Sequence, residues 1–148
     1  MSDKERKLPL LLKTMYGAGA GGAILVIMII GTWTMYYYAP PPGKGLITYA
    51  PIILLGTAMM IGRIVDAITD PLIAQWSDKT TSCWGRRIPF ILFGSLPLVL
   101  SFILVWTPPV PRNSIVNFIY LVLMLSLFFL FYTVVIVPYG ALLPELTS

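Results

Sequence analysis

Four long apolar runs, separated by short stretches rich in proline, glycine or charge, set the pattern of this chain. The first, residues 15–38, is about 24 residues long, enough to cross a ~30 Å hydrocarbon core at about 1.5 Å per helical residue. A basic start before an apolar run also suits a signal peptide. This run is longer than such a core, however, and no small-x-small cleavage site follows closely. It is therefore read as a first transmembrane helix, preceded by a polar and basic tail, residues 1–14. Trp33, Tyr36, Tyr37 and Tyr38 at its far end form an aromatic belt of the kind found at membrane interfaces. Pro40, Pro41, Pro42 and Gly43 then stop it, because proline lacks the N–H donor and clashes with a continuing helix.

The same pattern predicts further helices over about 47–75, 88–106 and 114–143. Between them lie a polar loop at 77–87 and a second proline-rich turn at 107–111. Pro71 is expected to kink the second helix or to fall in its last turn, and Pro138-Tyr139-Gly140 to bend or interrupt the fourth. Gly17 and Gly21, in small-xxx-small spacing, are expected to admit a neighbouring helix backbone. The fold class that follows is all-α, a polytopic membrane protein of four transmembrane helices.

One stretch departs from the apolar pattern. Residues 47–61 carry no charge, and then Arg63, Asp66, Thr69 and Asp70 follow within the same run. At ~100° per residue they occupy an arc of roughly 120°, with Asp66 and Asp70 as i,i+4 neighbours. Ionisable groups at membrane depth are costly and normally face a bundle interior or a water-filled cavity. Two carboxylates and a hydroxyl on one face suit a hard cation or a proton, with Arg63 as a counter-charge. The plainer reading is a structural ion-pair cluster around Arg63. If both acids are ionised, one negative charge is left over, which a bound cation neutralises. Burial of a carboxylate favours its protonated form, so sodium and proton both stay open.

Composition narrows the function classes. Hydrophobic residues make up 57% and charged residues 11% of the 148 positions, with a mean hydropathy of +0.85. A soluble domain carries about 25% charge. The net charge of +4 comes from basic residues beside the apolar runs, where head groups and topology account for it, so no nucleic-acid partner is implied. Without histidine, and with Cys83 as the one cysteine, imidazole catalysis, an internal disulfide and a metal cluster are all excluded from this chain. No nucleophile-elbow, Walker or Rossmann pattern is present, and no enzyme or cofactor is expected. Lys4, Arg6, Lys7, Lys13, Lys79, Arg86 and Arg87 fall in the tail and the 77–87 loop, against Lys44 and Arg112 in the proline-rich turns. The positive-inside rule then predicts both termini in the cytoplasm, and Cys83 as a cytoplasmic thiol.

Several motifs share an order and spacing: Tyr36-Tyr37-Tyr38, the Gly62–Pro71 stretch with its R-x-x-D-A-x-x-D-P core, Trp84-Gly85-Arg86-Arg87-Ile88-Pro89, and Tyr132-Thr133 with Pro138-Tyr139. Together they resemble the N-terminal third of the glycoside–pentoside–hexuronide:cation symporters, the melibiose-permease-like branch of the major facilitator superfamily. The resemblance runs from about residue 11 to residue 147. It implies a twelve-helix transporter built from three-helix inverted repeats, of which this chain supplies one repeat and the first helix of the next. The chain would then be a fragment of a plasma-membrane symporter, in a bacterium that of the inner membrane, and would need the remaining helices to work.

The resemblance further implies that Asp66 and Asp70 bind the coupling sodium or proton. Thr69 stands at a neighbouring amide position of the family, and Thr133 matches a fourth-helix threonine that completes the site. Tyr132 matches a substrate-side tyrosine. Asp78, Gly85, Arg86 and Arg87 resemble a loop that sets the balance between inward- and outward-facing states, with simple positive-inside anchoring as the alternative. The sugar side departs from the pattern: positions holding acids in the melibiose branch are Ile24 and Ile136, and an aromatic position is Gly140. The expected partners are a sugar-like solute, a monovalent cation and membrane lipid. The alternatives are a stand-alone four-helix structural or pore-forming protein, and a proton-coupled lipid or drug carrier of the same fold.

Overall fold

The computed structural model describes residues 9–82 and 85–147. Lys4, Arg6 and Lys7 of the tail, with Cys83 and Trp84, lie outside the described residues. Four helices follow one another: α1 (Leu10–Tyr38), α2 (Ile52–Lys79), α3 (Ile88–Val105) and α4 (Ile115–Thr147). Each is long and apolar enough to cross a membrane.

Hydrogen bonds between the connections fix an up-and-down path. The Tyr38 hydroxyl at the end of α1 donates to the Val105 carbonyl at the end of α3, 2.7 Å away, and the Tyr37 hydroxyl donates to Trp106. Asn117 in the first turn of α4 is fully buried, and its amide reaches the carbonyls of Tyr49, Val110 and Arg112 at 2.8–2.9 Å. At the opposite end, Tyr16 of α1 stacks on Tyr139 of α4, and each hydroxyl donates to the other's backbone carbonyl.

Inside this frame α4 packs between α2 and α3, while α1 makes fewer contacts. Two glycines set how closely α4 approaches. A Cβ on Gly62 would meet the Phe129 ring at 2.7 Å, and one on Gly94 would meet Val134 at 2.8 Å. The core around these contacts includes Leu55, Ala58, Leu121, Leu125, Phe128 and Phe129. Among the described residues none meets Gly17 or Gly21: a Cβ there would find nothing within 4 Å. In α1 the close approach is at Gly19, where the Tyr139 hydroxyl occupies the space.

The helix bounds differ from the sequence expectation for physical reasons. α1 starts at Leu10, five residues early, because Pro9 forms its cap and the Pro9 carbonyl accepts from the Leu12 and Lys13 amides. The start of α2 moves from 47 to Ile52, since the amides of Tyr49 and Ala50 are held by the Tyr38 carbonyl and the Tyr49 carbonyl by Asn117. Its end moves from 75 to Lys79: Ser77 is buried, Trp76 meets the Phe90 ring edge-on, and the Thr80 hydroxyl bonds the Trp76 carbonyl. Pro71 is thus interior to α2, and residues 77–79 are helical instead of loop. α4 runs unbroken past Pro138, which is fully buried, to Thr147.

Candidate functional site

The polar face of α2 meets α4 at a single hydroxyl. Thr133, one turn beyond Phe129, is almost completely buried and points across to α2. Its Oγ1 donates towards Asp66 Oδ1 at 2.9 Å and Asp70 Oδ1 at 3.1 Å. The helical i,i+4 spacing stacks the two carboxylates on one face, and the close α2–α4 approach at Gly62 brings Thr133 between them.

A proton count shows what this cluster lacks. The Thr133 hydroxyl has one proton and can serve only one of its two carboxylate neighbours at a time. The Thr69 hydroxyl lies 3.4 Å from Thr133 Oγ1, but its shorter contact is to the Val65 carbonyl of its own helix, at 2.9 Å. Thr69 therefore behaves as a membrane hydroxyl that bonds its own backbone, whereas Thr133 spans two helices. With both acids ionised, one carboxylate oxygen beside Thr133 has no proton facing it. A proton on either acid, or a cation between them, completes the set.

Arg63 flanks the pair without closing on it. Its Nη1 lies 3.7 Å from Asp66 Oδ2, and its guanidinium sits over the Phe129 ring, 4.9 Å from the centroid. The Arg63 side chain is 55% exposed and that of Asp66 19%, so solvent weakens this ion pair to about 1 kcal/mol or less. Two carboxylates and one guanidinium leave a single negative charge. Among the described residues no group of three or more His, Cys, Asp or Glu forms a metal cluster. The donor set of two carboxylates and hydroxyls fits a hard monovalent cation or a proton.

The other sequence-selected residues lie elsewhere. Tyr132 faces α1, where its hydroxyl donates to the Ala23 carbonyl at 3.4 Å and its ring stacks on Phe128. There it lines a cavity of about 240 Å³ between α1, α3 and α4, together with Gly19, Gly22, Val26, Phe102 and Ile136. Neither Asp66, Asp70 nor Thr133 lines this cavity, and Tyr132 supplies its one polar side chain. Ile24 is exposed on α1 instead. Asp78 at the end of α2 pairs with Arg87 before α3, Nη2 to Oδ1 3.1 Å, and Gly85 turns the chain between them at φ +96. Arg86 lies in the same turn. Phe129, Gly62 and Asn117 were not singled out by chemistry in the sequence. Phe129 shares the face of Thr133 one turn earlier, which is the signal that marks it.

The sequence is similar to known proteins. The family model described as MFS/sugar transport protein matches residues 15–148. A symporter of Synechocystis sp. is 38% identical over 147 residues, covering 96% of this chain and 26% of that protein. The glucuronide carrier protein homolog of Escherichia coli is 30% identical over 93 residues, 63% of this chain and 20% of that one. The sodium-dependent lysophosphatidylcholine symporter 1 of Homo sapiens is 37% identical over 86 residues, 57% of this chain and 15% of that one. The chain spans between a quarter and a third of the length of the relatives that it matches over most of its own length. No solved structure matches it. The matched model, the symporter relatives and the four apolar helices agree: this chain belongs to the MFS/sugar transport proteins, in the glycoside–pentoside–hexuronide:cation symporter family of the major facilitator superfamily.

Proposed function

We propose that this chain forms the amino-terminal part of a cation-coupled symporter, and that Asp66 and Asp70 hold the coupling ion with Thr133 as the third ligand. One observation carries the reading: a single buried hydroxyl lies within hydrogen-bond distance of both carboxylates. The ion, sodium or a proton, supplies the positive charge that the cluster lacks. Thr69 flanks the site as a further oxygen, and Arg63 holds part of the negative charge when the ion is absent. Ion binding then changes the charge at the α2–α4 contact, which is how it would bias a transporter between its two access states. The distribution of basic residues favours cytoplasmic termini, and the family favours a plasma membrane. The Asp78–Arg87 pair would tie α2 to α3 during the access change.

For the solute, the family favours a sugar or glycoside, with Tyr132 on the substrate side. A second reading rests on the cavity beside Tyr132: apart from that one hydroxyl, already bonded to Ala23, its side chains are apolar. Such a lining suits the acyl part of an amphiphile better than a ring of hydroxyls. Competition of uptake by glycosides against lysolipids separates the two. The ion-site reading is tested by uptake with the complete transporter in proteoliposomes, with and without a sodium or proton gradient. Asp66→Asn and Asp70→Asn should remove the gradient dependence; retention of it in both variants refutes the site.

A further inference from the structure

We infer that Phe129 is a positioning residue that parks the Arg63 guanidinium beside the carboxylate pair and keeps it off Asp66, so that the ion site stays open to its cation. The inference rests on the ion-site reading above. Asp66 has its two oxygens divided: Oδ1 faces Thr133, and Oδ2 faces Arg63 at 3.7 Å, longer than a charge-assisted hydrogen bond of about 2.8 Å. What holds the guanidinium short of contact is the Phe129 face, 4.9 Å from Arg63 Cζ. An aromatic face attracts a cation within about 6 Å of its centroid.

The ring itself has no freedom to follow Arg63. Phe129 is 1% exposed, is packed edge-on against Phe128, and fills the space that a Gly62 side chain would occupy. Gly62 immediately precedes Arg63, so one contact fixes both the α2–α4 spacing and the seat of the guanidinium. Phe129 also lies one helical turn before Thr133, so the same face of α4 presents a ring to the cation of α2 and a hydroxyl to its anions. Among the described residues the charges at this place are Arg63, Asp66 and Asp70, all on α2. Without the ring, the guanidinium closes on Asp66 Oδ2 and competes with the coupling ion for that carboxylate.

The test is cation titration of the complete transporter carrying Phe129→Leu or Phe129→Met, each also in an Arg63→Gln background. Sodium is titrated at fixed pH, and protons are titrated in sodium-free buffer, following stabilisation against heat. Loss of the ring should weaken the affinity for the responsive ion roughly three- to tenfold, the range of a cation–π contact. In the Arg63→Gln background the same change should alter affinity less than about twofold, because no guanidinium is left to relocate. Leu and Met both fill the ring's place, so a variant that is folded and binds with parental affinity overturns the inference. An equal loss with and without Arg63 also overturns it, by making Phe129 a packing residue only. Failure of the ion-site reading is separate: it is an ion response that survives Asp66→Asn and Asp70→Asn.

Discussion

Asn117 holds together the end of the bundle where α1 and α3 stop and α2 and α4 begin, and its removal has a calculable cost. The side chain is fully buried. Its Nδ2, with two protons, lies within hydrogen-bond distance of three carbonyls, those of Tyr49, Val110 and Arg112, and its Oδ1 accepts from the Val110 amide at 3.1 Å. Three acceptors on one side and a donor on the other admit a single orientation of the amide. In Asn117→Ala the Val110 amide and the three carbonyls lose this partner. A buried group left without a partner costs about 1–3 kcal/mol. Arg112 is exposed and Tyr49 keeps a bond from the Ser114 amide, so water and that bond relieve part of the loss. The net cost is about 2–4 kcal/mol, the small cavity included. Asn117→Asp keeps the acceptor for Val110 but turns an oxygen towards three carbonyls, and should cost at least as much near neutral pH. Thermal unfolding of the detergent-solubilised transporter reads the stability, and amide exchange reads the mechanism. Val110 should lose protection in the alanine variant and keep more of it in the aspartate variant. Parental melting in Asn117→Ala, with Val110 still protected, would refute the reasoning.

Four further outcomes follow from the same geometry. Gly62→Val should destabilise by about 1–3 kcal/mol through overpacking against Phe129, and a Phe129→Ala change in the same protein should recover part of it; thermal melts of the single and double variants decide. Asp78→Asn should change stability by less than about 1 kcal/mol, because Asp78 is 59% exposed and solvent screens its pair with Arg87; a larger shift in denaturation midpoint would show a stronger tie. Tyr132→Phe removes only the 3.4 Å bond to Ala23 and should leave melting nearly unchanged, so an altered KM for solute in transport assays would mark a substrate contact. Thr133→Val removes the shared hydroxyl and should weaken ion affinity about tenfold, the value of one hydrogen bond to a charged group, as read by isothermal titration.

The helices themselves were legible because each apolar run is long enough to cross a bilayer, and the polar face of α2 was legible because three charges and a hydroxyl recur at helical spacing. Thr133 was reachable only through family resemblance: nothing local links position 133 to position 66, and the contact exists because α4 approaches α2 at Gly62. The start of α2 is not legible for a similar reason, since Tyr49 is drawn out of the helix by Tyr38 and Asn117, both distant in sequence. Gly17 and Gly21 have the right spacing for helix contact but meet no neighbour among the described residues, while the isolated Gly62 and Gly94 are close approaches. Spacing can show that room exists; the bulky residue opposite decides whether it is used. Pro138 shows the converse, because packing around its buried ring holds α4 continuous where local chemistry favours a break.

The most direct test of the ion site is a sodium titration of the complete transporter at two pH values, following thermal stability, with Asp66→Asn and Asp70→Asn alongside. A ligand bound only by the folded state raises stability by about 2.7 kcal/mol at a hundredfold excess over its Kd. The account predicts an ion-specific rise in the parent that is lost in both variants: a sodium rise if sodium couples, a pH-linked one in sodium-free buffer if the proton does. A parent that responds to neither ion, or variants that respond as the parent does, would contradict it and leave the two carboxylates as structural partners of Arg63.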